Sequence, residues 1–424
     1  MMLDALLAFG IVMSFSTQIS LPGLPMTIGE FALFLWITIE IARILTGGRV
    51  VFSSPLARIG GFWIAWIMLL CIGAAIGHLT KILFANVVIH DALAYVLVAL
   101  LTCLAAAQPD AYHRLRRCAW FVVAGANISL AVQVCVGWGL LPRTNLGPWF
   151  WDRFQGWSKN PNQLALHCAV FGPLALHLAT TSKRAISRLA GFMGILLPFY
   201  VGRLTKSDTY LLTTALTCIV FVGLRLRTWL TIKNAKATPG RQIAILLLIF
   251  VMPLGVSLLP YAASKFGSAE SFAISLTKDK GGDATEATAS LRLQLWDNAI
   301  EAGLRAGSLG LGPGPHLDRP PITKLGFLPI PFEAHNTVLD IFTQAGLTGV
   351  ILLMWIIGSA GWLALRAKLD ALFALIVSIG VFSMPHLIIR YPTVWFAITF
   401  CLVAGAGAKS ITPRGQAPAL TKEV

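Results

Sequence analysis

Apolar stretches long enough to cross a bilayer recur along this chain near 4–20, 27–45, 60–78, 86–107, 118–140, 162–180, 187–203, 208–225, 241–260, 337–365, 370–387 and 392–408. A spanning helix needs about 20 mostly apolar residues, and lipid tolerates no unpaired peptide groups. The pattern predicts an all-α polytopic membrane protein with about twelve transmembrane helices. Charge agrees: only 12% of residues are charged, against roughly a quarter in soluble domains. Mean hydropathy is +0.75.

The seven cysteines all sit in apolar segments, where they cannot form a loop disulfide framework. The N-terminal stretch lacks a basic region and carries Asp4, so the first apolar segment is expected to stay as a span. No internal repeat or appended soluble domain is visible. Three parts follow: nine helices over 1–261, a long loop over 262–335, and three helices with a tail over 336–424.

Orientation follows from Lys and Arg. With the N-terminus in the cytoplasm, the inner loops and tail receive 19 of them, including Arg43, Arg114, Arg116, Arg117, Arg225, Arg366 and Lys368. The outer loops receive seven once the long loop 262–335 is set aside, as charge counting requires. Both termini are expected inside. The outer seven are Lys81, Arg143, Arg153, Lys159, Arg203, Lys206 and Arg390, and the long loop adds Arg292, Arg305, Arg319 and Lys324. For any one of them, attraction to anionic membrane lipids is the simplest reading. Together they suggest an anionic ligand such as a diphosphate, each charge-assisted bond being worth about 1.5–3 kcal/mol.

These cations surround one irregular segment. Residues 307–349 open with Gly310, Gly312 and Gly314 and carry six prolines from Pro313 to Pro331. Such a stretch forms a pinned loop. It delivers Glu333, Ala334, His335 and Asn336 to the start of an apolar helix. His335 therefore combines an outer helix end, a neighbouring carboxylate and a rigid approach. Within the long loop, 288–303 reads as an amphipathic helix with Leu291, Leu295, Ala299 and Ala302 on one stripe and Arg292, Trp296, Ala299 and Gly303 on another. It suits either packing or the bilayer surface. Trp138, Trp149, Phe150, Trp151 and Trp157 beside Arg143 and Arg153 read as an aromatic belt, with a sugar-stacking platform as the sharper alternative.

Several chemistries are excluded: there is no HExxH, GxSxG, P-loop or Cys/His metal spacing. The outer acids Asp152, Asp208, Asp279, Asp283, Asp318 and Glu333 show no paired pattern. No metal, no other cofactor and no nucleic acid is expected. His90, His167, His177 and His386 are placed inside spans, and His78, His113 and His316 in loops.

The runs RLQLWDNAIEAG, GLGPGPH and EAHNTVLDIFTQAGLTGVILLMW resemble the O-antigen ligase and polymerase family of bacterial inner-membrane proteins, over roughly residues 290–355. Looser similarity covers RFQGWSKNPNQL (153–164) and LTKSDTYLLTTA (204–215). The chain departs from the family where Thr-x-Ser-Arg is common: Ser207 is followed by Asp208, leaving Arg203 or Lys206 to supply the cation.

The resemblance implies a GT-C-like fold with the active site facing the periplasm. It implies an inverting, metal-independent glycosyltransferase using an undecaprenyl-diphosphate-linked glycan as donor. The acceptor would be lipid A–core for a ligase, or another lipid-linked repeat for a polymerase. His335 would act as general base or orient the acceptor hydroxyl. Arg203 and Arg292 would grip the diphosphate, with Lys81, Arg143, Arg153, Lys206, Arg390 and Asn336 as further binding candidates. Polymerases in the family carry two R-x10-G loops; here one such spacing occurs, from Arg292 to Gly303. That and the basic outer face favour ligase. A transporter or flippase is the reading from another class, but Glu30, Glu40 and Asp91 are the few acids within spans, while cations gather at the rim.

Overall fold

The computed structural model describes residues 1–21, 26–80, 85–142, 146–230, 283–317 and 331–407. They contain helices α1 (Met2–Met13), α2 (Ile28–Leu45), α3 (Ser54–Thr80), α4 (Ala85–Ala106), α5 (Ala111–Gly137), α6 (Pro161–Thr181), α7 (Ala185–Leu204) and α8 (Asp208–Leu230). After these come α9 (Asp283–Arg305), α10 (Thr337–Arg366), α11 (Asp370–Ser383) and α12 (Pro392–Gly407). One antiparallel hairpin, β1 (Trp149–Phe150) with β2 (Arg153–Phe154), pairs Trp149 with Phe154. The protein is all-α and polytopic: among the described residues seven helices, α3 to α8 and α10, are long and apolar enough to cross a membrane. The expected span 241–260 lies outside the described residues, as do Lys81, Arg143, Asp318, Arg319 and Lys324.

Helix starts follow local chemistry. Thr27 and Glu30 form a reciprocal capping box on α2. Asn160 caps α6 ahead of Pro161, accepting from the Asn162 amide at 2.9 Å. Two helices stop earlier than the apolar pattern predicts. α1 ends at Met13 because Gln18 is drawn into loop bonding, its side chain donating to the carbonyls of Gly147, Gly156 and Ser158. α11 ends at Ser383 because Pro385 has no N–H with which to continue the helical hydrogen-bond ladder. His386 therefore lies in a loop and not in a span. Conversely, His78 and His113 lie inside α3 and α5 and not in loops.

Loop contacts sort the chain into two ends. At one, the α1–α2 connection meets the α5–α6 loop through Gln18, Arg153 of β2 donates to the Thr205 carbonyl after α7, and Thr337 donates to the His386 carbonyl between α11 and α12. At the other, Arg114 and Arg117 of α5 hold Asp4 of α1, Arg114 also holds Glu40 of α2, and Arg225 pairs with Asp370. Buried Asp4 and Glu40 are tolerable there because guanidinium groups and Gln108 satisfy them.

α12 runs through the centre, buried at every residue from Pro392 to Gly405. Its Trp395 lies 4.5 Å from Trp63 and 5.0 Å from Phe62, ring centre to ring centre. Phe62 stacks on Trp66 at 5.6 Å, and Trp66 meets Tyr95 edge-on at 5.8 Å. This aromatic column ends at the Tyr95 hydroxyl, which donates to Gln344 Oε1 of α10 at 2.6 Å.

Candidate active site

α10 is broken in its upper part. Gly346 has φ 68° and ψ −170°, a backbone that L side chains rarely adopt. Such a break frees peptide groups that lipid cannot satisfy. The glycine-rich loop supplies the partners: Leu311 and Gly312 amides donate to the Thr343 and Gln344 carbonyls at 2.8 and 2.9 Å, and the Leu347 amide donates to the Ser308 carbonyl at 3.0 Å. Only glycine permits this approach. A Cβ on Gly346 would sit 2.1 Å from the Ser308 oxygen, and one on Gly310 would sit 2.5 Å from the Gln344 oxygen. The glycines of 307–314 thus exist to thread a loop into a helix break.

His335 lies about three helical turns before that break. Asn336 caps α10, its Oδ1 accepting from the Val338 and Leu339 amides at 3.0 and 3.3 Å. Asp340 reaches back from the first turn, accepting from the Ala334 amide at 2.6 Å and the Asn336 amide at 3.2 Å. With both neighbours clamped, His335 takes φ 53°, the left-handed region. From α9, Trp296 Nε1 donates to the Ala334 carbonyl at 3.1 Å. Leu295, Ala299, Leu317 and Ala334 form a small buried core beneath, and Leu317 pairs with Phe332 through two backbone bonds. α9 is therefore packed and not merely laid on the bilayer. The space beside Gly303 is filled by the Phe342 ring.

Charge around His335 is ordered by a second chain. Arg390 donates to both Asp91 of α4 and Glu333, tying the loop before His335 to the transmembrane body. His90 Nδ1 lies 3.3 Å from the same Asp91 oxygen. Burial is the largest influence on His335 and holds its pKa below the ordinary imidazole value; Glu333 opposes this, and Arg292 and Arg390 add to the lowering. At neutral pH the ring is uncharged and able to accept a proton. His386 is held lower still, at about 3, by burial and by the positive charges of Arg292, His335 and Arg153.

The site candidates fall into groups. Arg292 and His335 come together with His386, while Arg153 reaches the same region from the hairpin, donating to the Thr205 carbonyl at 3.1 Å and Asn162 Oδ1 at 3.0 Å. Arg390 is near but already engaged by two carboxylates. Asn336 spends its side-chain oxygen on the helix cap. Arg203 is exposed in the last turn of α7 and is not among the groups acting on His335 or His386. Lys206 pairs with Asp152 on the exposed surface, where such pairs contribute little. Ser207, at the point of departure from Thr-x-Ser-Arg, is buried, and its Oγ accepts from the Tyr210 amide at 3.4 Å. Among the described residues no three His, Cys, Asp or Glu side chains converge as a metal site.

Two residues of the site, Asp340 and His386, and one pairing, Arg390 with Asp91, escape the sequence pattern. Asp340 has a signal, an acid four residues after the helix-capping Asn336. His386 has one too, the preceding Pro385, which ends the helix. Arg390 with Asp91 has none, because the partners are 299 residues apart.

Residues 193–354 match the family model described as O-Antigen ligase. The matched segment includes Arg203, Arg292, the glycine loop, His335 and the break in α10. Arg153, His386 and Arg390 lie outside the match. No curated protein matches the chain.

Proposed function

We propose that this protein is an O-antigen ligase of the bacterial inner membrane, with both termini cytoplasmic and the His335 end in the periplasm. It moves a glycan from undecaprenyl diphosphate to a sugar hydroxyl of lipid A–core. In this scheme the acceptor hydroxyl attacks the anomeric carbon while His335 takes its proton. The bond from that carbon to the phosphate oxygen breaks, configuration inverts, and undecaprenyl diphosphate leaves with the electron pair. Arg292 and neighbouring cations stabilise the departing charge, in place of a metal. The polyprenyl tail lies along apolar helix faces open to lipid.

The observation that carries this reading is the presentation of His335. A neutral imidazole is held at a left-handed backbone position between two clamped neighbours, with Arg292 acting on its charge, within the matched segment. The orientation is supported by the inner-loop excess of basic residues. The test is transfer by purified protein of an undecaprenyl-diphosphate-linked glycan to lipid A–core or to a second lipid-linked repeat, with and without EDTA. Glycosylated lipid A–core formed in EDTA is the expected product. Elongated lipid-linked glycan instead would make the protein a polymerase, and no transfer to either acceptor would refute glycosyl transfer.

A further inference from the structure

We infer that His386 is a second substrate-contacting residue of this site, its Nε2–H donating to a phosphate oxygen of the donor's diphosphate. The inference rests on the glycosyl-transfer reading above.

Its first support is position. The turn between α11 and α12 is stapled to the residues just after His335: Thr337 Oγ1 donates to the His386 carbonyl and accepts from the Ile388 amide at 3.1 Å. The His386 ring stacks on Phe382 with centres 5.0 Å apart and planes 28° from parallel, so the direction of its nitrogens is set. The second support is an unmet bond. Nε2 is sealed from solvent yet has no hydrogen-bond partner among the described residues. Buried polar atoms rarely stay unpaired, and each such atom calls for an explanation.

The surroundings say which ligand would meet it. The charged groups facing the ring are Arg292 from α9, Arg153 from the hairpin, and His335 when protonated, all positive. An oxyanion is the ligand that satisfies a lone N–H among cations. Burial keeps the imidazole neutral at physiological pH, so one ring nitrogen carries a proton and can donate without adding charge. Three other histidines also have unpaired nitrogens: His167 and His177 are only 0% and 1% exposed, enclosed by rings such as Phe15, Phe171 and Phe400, and His316 is buried with its other nitrogen already bonded to the Gly312 carbonyl at 2.8 Å. His386 is only part-buried as a residue.

The experiment uses the full chain in detergent and measures farnesyl diphosphate binding by calorimetry, beside donor kinetics in the transfer assay. His386→Phe keeps the stack on Phe382 but removes the N–H; His386→Gln restores a donor near the same point. The expected result is diphosphate binding about tenfold weaker in His386→Phe, the size of one lost bond to a charged group. Donor KM should rise in parallel with kcat and the acid limb of the pH profile unchanged, and His386→Gln should recover most of the loss. Wild-type affinity in His386→Phe, with or without a lower unfolding temperature, overturns the inference and leaves the residue a packing role. Wild-type protein that binds no prenyl diphosphate at all would count against the glycosyl-transfer reading and take this inference with it.

Discussion

Trp296 donates its indole N–H to the carbonyl of Ala334 at 3.1 Å, joining the residue before His335 to a side chain one helical turn beyond Arg292. The same Ala334 gives its amide to Asp340. One fully buried residue is thus bonded on one side to the helix that carries the arginine and on the other to the helix that follows the histidine. The spacing between Arg292 and His335, the proposed anion-binding group and proton acceptor, is set through the backbone of a third residue.

Trp296→Phe should therefore loosen the site without emptying the core. The Ala334 carbonyl would be buried and unpaired, at a cost of about 1–3 kcal/mol. We expect a lower unfolding temperature and a kcat reduced about tenfold, with donor KM changed less. Asp340→Asn, which can serve only one of the two amides well, should act in the same direction. Unaltered kcat in both variants would separate this clamp from turnover.

His335→Ala should leave insertion and folding intact, because the side chain is only part-buried and holds no structural hydrogen bond among the described residues. Transfer should fall by roughly 10²–10⁴, the usual worth of a general base. The measurement is kcat on purified, monodisperse protein; a near wild-type rate would remove His335 from the chemistry.

The pH profile offers a signed test. A base works in its neutral form, so activity is lost as pH falls through the histidine's own pKa. Burial places that pKa below the ordinary imidazole value, and the acid limb should lie correspondingly low. Glu333→Gln removes the charge that raises it and should move the limb further down. Arg292→Met removes a charge that lowers it and should move the limb up, in addition to weakening donor binding. Shifts of kcat with pH in the opposite directions would contradict this electrostatic ordering.

Gly346→Ala should be among the most damaging single-methyl changes in the chain. The new Cβ meets backbone at 2.1 Å, and the φ of 68° is strained for alanine. A loss of at least about 2 kcal/mol is expected from strain and overpacking together. Thermal unfolding in detergent, or yield of monodisperse protein, measures it.

The parts of this architecture that lipid dictates are legible in the chain. Spanning helices follow from apolar length, and α10 begins where the apolar run after Asn336 begins; most of the proline-rich approach, 318–330, lies outside the described residues. What resists reading is set by partners far apart. Leu387, Ile388 and Ile389 are apolar and buried, so the run through 370–387 looks like one span although the helix ends at Ser383. His78 and His113 look like loop residues because helix ends in a membrane protein are polar. Arg390 reads as one more outward cation until Asp91 and Glu333 are seen to hold it. The role of Gly310 and Gly312 as partners of a broken helix depends on Gly346, whose torsion no local pattern announces.

The threading of that glycine loop into α10 also limits how the site can open. Withdrawing residues 308–312 would strand the carbonyls of the buried Thr343 and Gln344, and each unpaired buried group costs about 1–3 kcal/mol. The segment behaves as fixed masonry and not as a door. On the proposed function, a lipid-borne substrate would then reach His335 along the flanks of the bundle, arriving from the side of the bilayer while the floor of the chamber stays still.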